Sequence, residues 1–145
     1  MFSAPNAQPI PRSQQFAGAY RQVGVQTMVA SASPHGLVSL LFDGFMAAVH
    51  RAKGALRKQD VETKGLAIGQ AVRIVDEGLK SALDLKDGGK LATDLSDLYS
   101  YVCMRLTQAN LRNDEAALDE CVALLTPLRD AWAAIGPRVD APAPN

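Results

Sequence analysis

The chain's 145 residues suffice for one domain with a real core and are too few for two comfortable ones. Fifteen basic residues balance fifteen acidic ones, so no net field draws in nucleic acid or an anionic membrane, and 48% hydrophobic content fits a globular chain. No uncharged apolar run reaches the length of a membrane-spanning helix, which excludes membrane insertion.

The opening stretch M-F-S-A-P-N-A-Q-P-I-P has three prolines and no apolar run, so it does not read as a secretory signal. Residues 1–19 are rich in Pro, Gln, Ala and Ser, with little to bury, and are expected to be disordered. Residues 20–32 form an arm carrying Tyr20 and the β-branched Val23, Val25, Thr27 and Val29. That stretch is too short and isolated for a sheet, and is expected to lie along a helical body.

Ser33-Pro34 then gives a strong helix start, because serine caps an orphan N–H and proline at the first position has no N–H to lose. The first helical pattern spans about Pro34 to Lys58, with apolar positions 38, 41, 45, 49, 52 and 56. Asp60 can cap a second, about Val61 to Leu85, whose row is Ile68, Val72, Val75, Leu79 and Leu83. Asp87-Gly88-Gly89 breaks the chain. The third pattern, about Lys90 to Arg112, carries Leu91, Leu95, Leu98, Val102, Leu106 and Ala109. Asn113-Asp114 turns the chain and caps the fourth, with Leu118, Val122, Leu125, Leu128, Trp132 and Ile135. Gly136-Pro137 stops it, and residues 137–145 are expected to be a disordered tail.

Pro127 falls inside the fourth pattern. Either the helix kinks there, or Thr126 caps a short fifth helix; the unbroken phase of 125, 128 and 132 favours a kink. Short connections between rods of matched length place successive helices antiparallel. The expected fold is all-α, an antiparallel up-down four-helix bundle with a mobile N-terminal arm and a disordered tail. The domain is expected to span 20–136, with the arm at 20–32.

Catalytic constellations are scarce. His50-Arg51-Ala52-Lys53-Gly54 looks like the H-x-x-K-G of histidine phosphotransfer domains, where an exposed imidazole accepts phosphate and a lysine one turn on offsets its charge. The plainer reading is a solvated histidine on a basic face. His35 has no partner at i+4, because Ser39 stands there, and the scattered carboxylates lack the inward-facing pattern of a di-iron bundle. Cys103 and Cys121 lack ligand spacing and read as reduced, half-buried thiols. No enzyme and no cofactor is expected.

What remains is surface. Beside its core row the second helix carries Ala67, Ala71, Ile74, Gly78 and Leu85, and the third offers Tyr99 and Cys103 off its main seam. Glycine in a helix interior costs about 1 kcal/mol against alanine, so Gly78 invites a reason such as the close approach of another chain. Ala71, Ile74, Gly78, Tyr99 and Cys103 are therefore candidates for a shallow groove that accepts an amphipathic helix. The plainer reading is packing against other helices or the arm.

These residues and their order resemble the FliS flagellar secretion chaperone family over about Tyr20 to Trp132. The likeness rests on the arm tyrosine, S-A-S-P-H-x-L at 31–37, L-L-F-D-G at 40–44 and A-x-x-I-V-D-x-G-L-K at 71–80. It continues in G-G-K-L-A-x-x-L-x-x-L-Y-x-Y at 88–101, Q-A-N-L-R-N-D at 108–114 and A-W at 131–132. Pro127 is unusual for the family, as is Lys90 where relatives commonly carry glutamate.

The resemblance implies a bacterial cytosolic chaperone that binds the C-terminal segment of flagellin, blocks its premature polymerisation and presents it to the flagellar export machinery. In the family that segment is disordered in the monomer and helical in the filament. The resemblance also places the arm, with Tyr20, near the flagellin-binding surface, where Val23 and Val29 are further candidate contacts. Self-association through the groove into a weak homodimer is left open.

Overall fold

The computed structural model describes residues 33–136, and they form four helices with no strand among them. Helix α1 spans Pro34–Arg57, α2 Val61–Arg73, α3 Gly89–Arg112 and α4 Glu115–Ile135. Each helix packs against its chain neighbours, and α1 also packs against α4, which closes the up-down-up-down bundle. The segments 1–19, 20–32 and 137–145, expected to be a disordered terminus, an arm and a tail, lie outside the described residues.

The connections explain the turns. Gln59 takes a left-handed backbone conformation (φ 59°), and Asp60 N–H reaches back to the Ala55 carbonyl at 2.9 Å, which closes α1 in a Schellman motif. Asn113 repeats the device after α3 (φ 52°), with Asp114 N–H on the Ala109 carbonyl at 3.1 Å. Asp60 and Asp114 then cap α2 and α4, accepting from the backbone N–H of Thr63 at 3.1 Å and Ala117 at 3.2 Å.

Ion pairs record the antiparallel register of α1 and α4. Asp43 faces Arg129, Lys53 faces Asp119, and Arg57 grips Glu115 through Nε and Nη2 at 2.9 and 2.6 Å. Each step forward along α1 is matched by an equal step back along α4. Exposed pairs of this kind set register more than they stabilise.

The second helix departs from expectation. It is not one regular helix to Leu85: the α-helix ends at Arg73 and Ile74–Lys80 continues as a π-helix. The wider turn reappears in Ser81, whose hydroxyl donates to the Asp76 carbonyl five residues back at 3.2 Å. Segments of this kind are rare and gather at functional sites. A fifth helix at Pro127 is not formed, because α4 runs through the proline unbroken. The carbonyl that loses its N–H partner there belongs to exposed Ala123, within reach of water.

The core is graded along the bundle axis. From the end where α1 meets α2 through the body it is closed, with the small side chains of Ala48, Ala52, Ala67, Ala71, Ala109 and Ala117 all buried. Phe45, Leu106, Leu118 and Leu125 are fully enclosed in the body, each contributing about 1.5–3 kcal/mol by leaving water. At the other end the expected core rows loosen. Leu91 is 69% exposed and Ile135 41%, while Val38, Leu83, Leu128 and Trp132 are only half-buried.

Candidate partner-binding site

The open end contains an apolar cleft of about 380 Å³. Helix α1 supplies Val38 and Phe42, the π segment Leu79, α3 Leu91, Leu95 and Tyr99, and α4 Leu128, Trp132 and Ile135. The tyrosine phenol is the single ionisable group in that wall, and burial pushes its pKa up, so it stays neutral. A wall so poor in donors and acceptors offers shape and apolar area with little polar chemistry. The volume lies within the roughly 300–1,000 Å³ range of ligand pockets.

A second hollow adjoins the cleft along α1. It is lined by Pro34, His35, Leu37 and Leu41, and shares Val38, Ala82 and Trp132 with the first. A third lies beyond Leu41, against Gln70, Arg73, Ile74, Glu77 and Gly78. The three form a chain of recesses from the open end to the α1–α2 seam. The π segment lies between them, with Leu79 turned into the cleft while Ile74 and Gly78 border the outer hollow.

The candidate residues read from sequence divide accordingly. Ile74 and Gly78 share the outer hollow, and Tyr99 lines the cleft. Gly78 owes its small size to this chain, because an added Cβ would stand 2.8 Å from Leu41 of α1. Ala71 is wholly buried in the core and offers no surface. Cys103 sits apart at the α2–α3 seam, its thiol directed to the Val72 carbonyl at 3.9 Å. Tyr20, Val23 and Val29 lie outside the described residues. Sequence reasoning placed Val38, Leu83, Leu95, Leu128 and Trp132 in core rows. Their role as cleft wall depends on where the bundle stops closing, for which the bulky Trp132 and Ile135 beside Gly136 were the available signal.

The other candidate chemistry is accounted for by structure. His50 is exposed, but the Lys53 ammonium is held by Asp119 at 2.6 Å instead of standing ready for phosphate. Cys121 is fully buried rather than half-buried, and burial pushes its thiol up to about 12, so it is inert at neutral pH. No group of metal-ligating side chains occurs among the described residues. No described helix is long and apolar enough to cross a membrane.

Fold and cleft together define an all-α bundle with an apolar recess at one end. Its relatives say which kind. The family model for "Flagellar protein FliS" matches residues 16–139. The chain is 49% identical over 120 residues to a protein of Salmonella typhimurium named flagellar secretion chaperone FliS, covering 83% of this chain and 89% of that one. It is 42% identical over 114 residues to the Escherichia coli protein of that name, covering 79% and 84%. With the Bacillus subtilis namesake the identity is 32% over 114 residues, covering 79% and 80%. The chain belongs to the FliS family, whose members are chaperones and not enzymes.

Proposed function

We propose that this protein acts in the bacterial cytosol as an export chaperone that binds the C-terminal segment of flagellin. It keeps that segment from polymerising early and helps deliver it to the flagellar type III export machinery. The observation that carries this reading is the apolar cleft at the open end of the bundle, in a chain of the FliS family. A disordered segment folds on a partner only if it finds enough apolar area to offset its ordering entropy, and the cleft with its adjoining hollows supplies such a surface. We assign Tyr20, Val23 and Val29 to contact with flagellin as well. Tyrosine suits an interface that is uncovered part of the time, combining a large apolar ring with a hydroxyl content in water.

The test is co-elution in size exclusion with intact flagellin and with flagellin lacking its C-terminal segment. Binding of the first and not the second is expected. Equal binding of both would move the contact elsewhere on flagellin, and binding of neither would sink the reading.

A further inference from the structure

Trp132 is the chain's one tryptophan, and it stands in the wall between the cleft and the hollow beside α1. Three contacts tie it to His35. The rings stack with centroids 5.0 Å apart and 11° between planes. The indole N–H donates to the His35 carbonyl at 3.0 Å. The imidazole Nε2–H donates to the Trp132 carbonyl at 2.8 Å, since a carbonyl can only accept. The first turn of α1 and the last turn of α4 are thus clasped together.

We propose that Trp132 is a gate, held shut by His35, which swings aside when an apolar segment of the partner enters and joins the two recesses into one. The identity of that segment rests on the chaperone reading above. A core aromatic is ordinarily fixed by dense packing on all sides. Trp132 is half-buried and borders open volume toward both recesses, so it lacks part of that packing. Its ring position therefore depends heavily on the clasp. Both halves of the clasp belong to terminal helical turns, the parts of a bundle that open most readily.

The single tryptophan makes the gate directly readable in the full chain. In His35→Ala, which removes the stacking and the imidazole bond and keeps the backbone carbonyl at 35 for the indole N–H, acrylamide quenching of Trp132 emission should rise about twofold or more, and the flagellin C-terminal peptide should bind about threefold more tightly, because the weakened closed state competes less. His35→Gln, which keeps an N–H donor without the ring, should fall between. In the wild-type chain, saturating peptide should shift the emission maximum and change quenching. Peptide that co-elutes while leaving Trp132 emission and quenching unchanged would overturn the gate, as would wild-type quenching in His35→Ala. If His35→Ala fails to fold, the wild-type titration decides alone. A peptide that does not co-elute counts against the chaperone reading, and the quenching comparison still judges the gate.

Discussion

Leu41 of α1 fills the space that a side chain on Gly78 would occupy, its Cδ2 only 2.8 Å from where that Cβ would stand. The seam is reciprocal, since Ile74 Cδ1 of the π segment lies 3.3 Å from the missing Cβ of Gly44 on α1. Each element offers a glycine to a large side chain of the other. Alanine at Gly78 would gain about 1 kcal/mol in helix propensity. Against this, overpacking typically costs about 1–3 kcal/mol. We expect Gly78→Ala to be destabilising by about 1 kcal/mol in urea unfolding. In a Leu41→Ala background the same change should become neutral or stabilising, and a double-mutant cycle measures the difference. Equal effects in both backgrounds would show that the contact does not set the residue.

Lys64 is the one buried charged residue of the described core, at 4% exposure. Its ammonium donates to the Asn110 carbonyl at 2.9 Å and to the Asn113 side chain, where the negative end of the α3 dipole favours a cation. Lys64→Met keeps the apolar stem and removes the charge-assisted bonds. A loss of about 2 kcal/mol is expected, seen as a lower urea midpoint at unchanged slope. A variant as stable as wild type would make the ammonium a passenger.

Three carboxylates predict the acid limb of stability. Glu115 is held below its ordinary range by the hydrogen bond from Arg57, Glu120 by Tyr101 and then Arg105, and Asp60 by Thr63. A group depressed in the folded state contributes stability that is fully present above its unfolded pKa, about 4 for these side chains. That contribution fades as the pH falls through the folded value. Melting temperature should therefore drop below about pH 4, and Glu120→Gln should shallow the drop while lowering stability at neutral pH. Asp60 is exposed and Glu115 and Glu120 are half-buried with access to solvent, so salt should blunt the effect. An identical acid limb in the variant would remove Glu120 from the account.

Much of this architecture was legible in the sequence because its signals are local. Asp60, Asn113-Asp114 and Gly136 mark helix ends through backbone chemistry that acts within one turn, and the rows around Phe45, Leu106 and Leu118 carry a plain helical period. The misses are tertiary. Ala71 reads as a second face, since alanine's weak hydrophobic signal conceals that it lets helices approach closely. Nothing near Lys64 in the sequence marks it as buried, because its partners Asn110 and Asn113 lie at the terminus of α3. The π segment leaves no periodic trace, and its contacts, Leu41 with Gly78 and Ile74 with Gly44, join two different helical elements. The cleft is harder still: Leu91 and Leu95 belong to the same stripe as Leu106, and only the splayed end of the bundle separates wall from core.

That splayed end supplies a sharp test of where the partner sits. Leu91 is 69% exposed and lines the cleft, while Met104 is 46% exposed further along the same helix and lines none of the three recesses. Neither side chain anchors the core, so Leu91→Glu and Met104→Glu should leave helicity and melting temperature nearly unchanged. If flagellin's C-terminal segment uses the cleft, a carboxylate at Leu91 must be desolvated against apolar surface, and affinity should fall by about tenfold or more, on the order of 1.4 kcal/mol. Met104→Glu should bind within about twofold of wild type. Titration calorimetry with the isolated peptide measures both. The reverse ranking would move the contact to the outer face of α3 near Cys103, and with it the reason this end of the bundle is open.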